Sequence, residues 1–385
     1  MADNPNSVFV SPSPAELHAA VSALQDSANA FESVARADIG QLVQLGEQLK
    51  GGGHFELAAK LFSACCARLP DSPHFVLAAL TCRLRAGQPV AEEDENRLQS
   101  IAPDFLKYFS ALRLSLLPSA DAKAVLSTMQ SCFEAFLSGS EADWLYLTAA
   151  QFMFGDIQKG RTSEREIPGR LFFYWDKDPP PEIRDNIAYH QNASGLQVTL
   201  CTRDMAIEFL DAYYGRDSRN LFLGLRHPAE ESDFIRYHLI HTFGGYYLDL
   251  DERLIAPNLL KSYAEGTDAF LVRSNTGPLE NSLFGGVAGS CVTEEALHVL
   301  LHNCYAHAND SIWLKSGPGV LTRAVVRLYH RAFIEMQPLP SFRVMPDRVY
   351  GDLLLGLDVS YRNDARDWRV FEAEQAAKST SAVSD

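Results

Sequence analysis

Two hydrophobic rhythms divide this chain. From residue 14 to about 136, apolar positions recur every three to four residues in segments rich in Ala, Leu, Glu and Gln, which predicts a run of helices. The stretch Gly155-Asp-Ile-Gln-Lys-Gly-Arg-Thr-Ser-Glu164 is polar and Gly-containing, and reads as a hinge. Beyond it, short apolar runs alternate with helical periods. Ile167-Pro-Gly-Arg-Leu-Phe-Phe-Tyr-Trp175 suits a first core strand, residues 181–190 a helix, Leu196-Gln-Val-Thr-Leu-Cys201 a second strand, and residues 203–214 a second helix. Ile235, Leu239 and Phe243 then recur every fourth residue, with Ser232 as the expected N-cap and Gly244-Gly245 to close the helix. Tyr246-Tyr247-Leu248 follows as a strand, Arg253-Leu-Ile-Ala-Pro257 as a strand or turn, and Ala269-Phe-Leu-Val-Arg273 as another strand.

This order predicts an all-α region followed by an α/β nucleotide-binding sheet. The expected boundaries are a disordered start over 1–13, a helical domain over 14–155, a linker over 156–166, an α/β domain over 167–372 and a disordered tail over 373–385. Within the helical part, Leu45, Gly46, Gly53, Ala58, Phe62 and Pro70 fall at the offsets of a tetratricopeptide repeat, with Cys65 at a usually small position. Gly87 follows Gly53 by one 34-residue period, and Pro103 lies close to the next period after Pro70. About two degenerate repeats are expected. Such arrays bind peptides or mediate assembly, while an unspecialised helical cap fits the same spacing.

Composition narrows the partners. A 46% hydrophobic content is that of a globular protein, and a formal charge of −15 argues against nucleic acid and anionic membrane surfaces. Seven cysteines, at 65, 66, 82, 132, 201, 291 and 304, form no C-x-x-C pair and suit a reduced, cytosolic protein. The first residues, Met-Ala-Asp-Asn-Pro-Asn, lack the basic and apolar regions of a signal peptide, and no run approaches 18 apolar residues. A cytoplasmic protein without a membrane span is therefore expected, with effector-type secretion left open.

The candidate chemistry sits at the end of the Tyr246-Tyr247-Leu248 strand, where Asp249 and Asp251 are delivered. Alternate strand residues share a face, so the two carboxylates would lie together with Leu250 turned inward. Carboxylates that close repel unless a cation or proton lies between them, and a hard divalent ion with positions open to a diphosphate meets that need. Asp233 and Arg236, three apart, share one helix face. Alone, a D-x-D tripeptide fits a solvated loop end, and the Asp233–Arg236 pair fits a surface ion pair of little worth.

Together, Ser-Asp-x-x-Arg-Tyr-x-x-Leu-x-x-x-Gly-Gly-x-Tyr-x-Asp-x-Asp over residues 232–251 resembles the sugar-nucleotide-binding core of DXD-type glycosyltransferases of family 32. The catalytic domains of the large clostridial glucosylating toxins carry a similar core. The resemblance covers roughly residues 167–370 and implies a GT-A-type α/β fold. It implies a centre of Asp249, Asp251 and Arg236, and donor contacts from Trp175, Asp233, Arg236, Tyr247, Asn281 and Trp368. Trp175 inherits base stacking, while Phe172 stands where the family has a His. Ser316-Gly-Pro-Gly-Val-Leu-Thr322 resembles the family's Gly-Pro loop, facing acceptor or phosphate. In Tyr361-Arg-Asn-Asp-Ala-Arg-Asp-Trp368 the position five before the Trp, a metal ligand in the family, holds Asn363, with Asp364 as its substitute.

The implied activity is transfer of a hexose or N-acetylhexosamine from a nucleoside diphosphate sugar, with Mn²⁺ or Mg²⁺ on Asp249, Asp251 and Asn363. No general base stands out, which fits the family's retaining outcome. The acceptor stays open among glycan, lipid, metabolite and protein, and the helical region offers a site for a protein partner. Two other classes fit parts of the sequence. Leu248-Asp-Leu-Asp251 superficially suits a DxD phosphatase, although Arg253 occupies that family's Thr or Val position. Phe172 and Asn363 suit a non-catalytic adaptor with a degenerate transferase domain.

Overall fold

The computed structural model describes residues 38–362, 364 and 366–381. The expected disordered start over 1–13, the first residues of the helical domain and the last four of the tail lie outside the described residues. The chain divides into two compact units, Met1–Ala135 and Phe136–Asp385.

The first unit is helical: α1 (Ile39–Gly51), α2 (Phe55–Arg68), α3 (Pro73–Arg85), α4 (Glu92–Ile101), α5 (Pro103–Ser115), α6 (Ala122–Met129) and a 3₁₀ turn, Phe133–Ala135. Asp38 caps α1 by accepting from the N–H groups of Gly40 and Gln41. Prolines at the first position of α3 and α5 cost no hydrogen bond, because those N–H groups have no partner within the helix. Leu42 and Leu49 of α1 pack with Leu61, Phe62 and Cys65 of α2 and Cys82 of α3. Gly46 permits that approach, since a Cβ there would come within 2.9 Å of the Phe62 ring. Gly53 and Gly87 follow α1 and α3 at φ +80° and +69°, so the two glycines one period apart occupy equivalent turns.

The second unit begins earlier than expected. α7 (Glu141–Lys159) runs through the boundary expected at 155 and through the start of the linker expected over 156–166. It belongs with the sheet. Its buried Asp143 pairs at 2.8 Å with buried Arg323, and Tyr146 and Gln158 bond His330 and Tyr329. Arg323 also donates to the Phe136 carbonyl at 2.8 Å. The composition of α7 matches that of the helices before it, and its partner lies 180 residues away, so local periodicity could not place the boundary. Residues 161–165 are likewise tied down, Ser163 N–H donating to Gly266 O at 2.8 Å and Arg165 pairing with Asp268.

The rest of the unit runs β1 (Arg170–Trp175), α8 (Pro181–Ala193), β2 (Gln197–Thr202), α9 (Arg203–Leu223), α10 (Pro228–Phe243), β3 (Gly245–Leu248), β4 (Glu252–Leu254), α11 (Pro257–Ala264), β5 (Ala269–Arg273) and β6 (Leu279–Gly286). Then come α12 (Cys291–Ala306), α13 (Ile312–Lys315), α14 (Pro318–Ile334), β7 (Arg343–Pro346), α15 (Arg348–Leu353), β8 (Leu354–Gly356) and α16 (Trp368–Ser381). Six strands form a mixed sheet in the order β2-β1-β3-β6-β5-β7, with β4 and β8 as a separate antiparallel pair. β2, β1 and β3 are parallel, β6 is antiparallel to β3 and β5, and β7 is parallel to β5. Leu171, Phe173, Tyr246, Leu248, Phe270 and Val272 share one apolar core with Ile183 and Leu353.

Four details depart from expectation or add to it. α10 starts at Pro228, and the His227 imidazole caps it by accepting from Ala229 N–H at 3.0 Å, so Ser232 lies inside the helix. α9 continues past Tyr214 through a break at Gly215, whose φ of +82° interrupts the helical run. Asn281 lies on strand β6. α16 occupies most of the expected tail, through Ser381. No helix among the described residues is long and apolar enough to cross a membrane.

Candidate active site between strands β3 and β4

Asp249, Leu250 and Asp251 form the turn joining β3 to β4, just past the strand end where alternation was invoked. The in-and-out pattern survives: Leu250 is buried, while the Asp249 and Asp251 side chains are 30% and 35% exposed. Backbone bonds fix the turn. Asp249 N–H donates to Ser282 O of β6 at 2.9 Å, and Leu357 N–H donates to Asp251 O at 2.8 Å.

A buried support holds Asp249. Arg236 of α10 donates from Nη2 to Asp249 Oδ1 at 3.1 Å, from Nη1 to Asn281 O at 2.6 Å and from Nε to Ser232 O at 3.2 Å. Its Nη2 also lies 3.0 Å from Asp233 Oδ1 and 2.9 Å from Ser232 Oγ, and its guanidinium covers the Tyr247 ring at 4.4 Å. Tyr247 OH donates to Asp249 Oδ1 at 3.1 Å and meets Ser232 Oγ at 2.6 Å. Asp233 accepts from Asn281 Nδ2 and Ser316 Oγ, each at 2.9 Å. Arg236 is only 4% exposed, so this network lies beneath the carboxylate turn. Burial raises the Asp233 carboxyl above its usual range despite the opposing pull of Arg236. Desolvation and the neighbouring Asp251 push Asp249 up to about 7, against Arg236.

A third carboxylate stands beside the pair. Burial and the charges of Asp249 and Asp251 push Glu252 up to about 8, although Tyr350 OH donates to its Oε1. Its Oε2 is buried without a hydrogen-bond partner among the described residues. Among the described residues, no group of three or more His, Cys, Asp or Glu side chains is gathered to hold a metal. Two acidic oxygen ligands beside an orphaned carboxylate oxygen nevertheless fit a hard divalent cation that takes its other ligands from substrate and water.

Asn186 and His190, one turn apart on α8 and fully buried, clamp the far side of the same turn. Asn186 Nδ2 donates to Leu250 O at 3.0 Å and Glu252 O at 2.7 Å, while its Oδ1 accepts from Arg253 Nε at 3.0 Å. His190 Nδ1–H donates to Asn186 O at 2.7 Å, leaving Nε2 to accept from Leu254 N–H at 3.0 Å. Sequence reasoning missed both residues. The available signal was two polar side chains spaced i, i+4 on the helix expected over residues 181–190. Burial lowers the His190 pKa, so the unfolded chain takes up this proton first. Its contribution to stability is present above the unfolded value of about 6.5 and is lost as pH falls from there toward the folded pKa. Urea unfolding from pH 7.5 to 5 should therefore show stability declining below about pH 6.5, and less steeply in His190→Gln. Identical slopes would mean that His190 is not the titrating group.

Trp175 ends β1, half-buried, with its ring edge-on to Tyr361 at 5.5 Å. The buried Phe172 ring, in place of the family His, stacks on Phe243 of α10 at 6.2 Å. Asn363 lies outside the described residues. Asp364 accepts from the Arg366 backbone N–H at 2.9 Å and takes three bonds of 2.6–3.1 Å from its guanidinium. Trp368 opens α16 beneath the Arg369 guanidinium, and among the described residues no hydrogen bond or ring contact ties it to Asp249 or Asp251. Ser316 is fully buried on Asp233, and Tyr237 OH donates to Gly317 O at 3.3 Å, so the start of the Gly-Pro loop serves the buried support. Arg253, which set this turn apart from a phosphatase motif, lies over the Tyr189 ring at 4.5 Å.

No family profile matches the chain, and no curated protein matches it. Among solved structures, the chain is similar to one titled "PaToxG Glycosyltransferase", with 12% sequence identity and a TM-score of 0.32, covering 59% of this chain and 95% of that one. At that distance the site stands on its own residues.

Proposed function

We propose that the second unit is a GT-A-type glycosyltransferase of the DXD class, similar to family 32, that moves a hexose or N-acetylhexosamine from a nucleoside diphosphate sugar to an acceptor. One observation carries this. Two half-exposed aspartates are held at the end of a central strand, one of them by a buried arginine that is itself fixed by Asp233 and Asn281. Holding like charges together beside a third carboxylate is unfavourable in the free protein, and so suits a site completed by a cation. Asp249 and Asp251 would hold Mn²⁺ or Mg²⁺, which when bound neutralises charge on the departing diphosphate.

Arg236 and Tyr247 act through Asp249, directing its carboxylate, because their polar groups are already taken by protein partners. Asp233, Asn281 and Ser316 extend that support. Trp175, at the strand end, offers a face for the donor's base, and retention of configuration is the stereochemistry proposed. We further propose that the first unit is a tetratricopeptide-like array, supported by the Gly46–Phe62 packing and the equivalent Gly53 and Gly87 turns.

The direct test is a screen of UDP- and GDP-sugars with Mn²⁺, reading release of the nucleoside diphosphate. Hydrolysis of one donor that stops on chelation is expected. No release from any donor, with Mn²⁺ or Mg²⁺, would reject a transferase of this type.

A further inference from the structure

The two aspartates contact different kinds of cation. Asp249 faces Arg236, which is buried and held by several acceptors. Asp251 faces Arg362, whose Nη2 lies 3.3 Å from Asp251 Oδ2 and whose side chain is 48% exposed. That contact is the end of a segment laid over the site. Leu357 N–H donates to Asp251 O, Ser360 N–H and Oγ donate to Glu182 Oε1 at 3.0 and 2.6 Å, and Tyr361 packs on Trp175. Backbone bonds and the Glu182 clasp therefore place Arg362 on a carboxylate expected to hold a cation. The clasp also lowers the Glu182 pKa.

We propose that Arg362 is the resident counter-cation of Asp251 in the unloaded protein, competes there with the divalent ion, and on displacement moves its guanidinium to the donor's diphosphate. An exposed ion pair of this length is weak, so a doubly charged ion can displace it. Arg236 cannot yield in the same way, because leaving would strip the buried Asp233 and the neighbouring Asp249 of their shared cation. Once freed, a guanidinium fork on a tethered segment suits two phosphate oxygens. This rests on the transferase proposal and adds to it a coupling between metal loading and donor binding.

The two halves demand effects of opposite sign. Mn²⁺ titrations of wild type, Arg362→Ala and Arg362→Lys, followed by the electron paramagnetic resonance of free Mn²⁺, read the first half. Without nucleotide, the Ala variant should bind Mn²⁺ about fivefold tighter at low salt, a gap that narrows as salt is raised, with the Lys variant close to wild type. At saturating Mn²⁺, calorimetry should show UDP or GDP binding the Ala variant about tenfold more weakly. Equal Mn²⁺ affinity in wild type and the Ala variant would overturn the proposal while leaving the metal site standing. Unchanged nucleotide binding would overturn the transfer to the diphosphate. Absence of Mn²⁺ binding in all three proteins would sink this proposal and the metal-dependent transferase together.

Discussion

Arg236→Met should lower unfolding free energy by about 3–5 kcal/mol and abolish detectable turnover. The guanidinium is the shared cation of Asp233 and Asp249, and it is almost wholly buried. Removing one member of a buried ion pair leaves the other charge without compensation, which accounts for a cost of that size. Asn281 and Ser316 would still donate to Asp233, and Tyr247 to Asp249, but neutral donors do not replace a buried cation. Arg236→Lys keeps the charge and loses the fork that reaches Asn281 O and Asp249 together. It should recover part of the stability and little of the turnover. Urea denaturation of the three proteins checks both statements. A Met variant within about 1 kcal/mol of wild type would show that the network is not what holds the turn.

How far these features are legible in the sequence depends on the range of the forces behind them. The strands around Phe173, Leu248 and Val272 are short apolar runs between breakers; β1 and β5 lie within the expected segments, and β3 begins one residue early, at Gly245. The aspartate pair is legible because its spacing and its preceding strand are local. The start of α10 is a near miss: Ser232 has the right chemistry for a cap, but His227 caps the helix five residues earlier and Pro228 follows as a first-turn proline. The domain boundary is a plain failure, since Asp143 of α7 finds Arg323 only after folding. The clamp from Asn186 and His190 is hidden for the same reason, because its acceptors and donors are backbone groups more than 60 residues away. The roles proposed for Arg236 and Tyr247 differ in kind from the donor contacts that the resemblance implies. Their spacing marks them as part of the site, and only their saturation by protein partners separates supporting a carboxylate from meeting a substrate.

Asp251→Asn should cut turnover by at least about 100-fold, some 2.7 kcal/mol of transition-state stabilisation, without destabilising the unloaded protein. The substitution keeps the side-chain shape and removes a negative charge from beside Asp249 and Glu252. Among the described residues its carboxylate has one weak partner, the half-exposed Arg362, so little is lost in the folded state. Its removal relieves repulsion on Asp249, whose carboxyl Asp251 helps push up to about 7.

Thermal melts of wild type and Asp251→Asn, each with and without Mn²⁺ plus the nucleotide sugar that the hydrolysis screen identifies, test the central claim most directly. The account predicts that the variant alone melts level with or above the wild type, that ligands raise the wild-type melting temperature through mass action, and that this rise is absent from the variant. A variant that melts lower, with ligands that move neither protein, would make the aspartate pair structural and contradict the account.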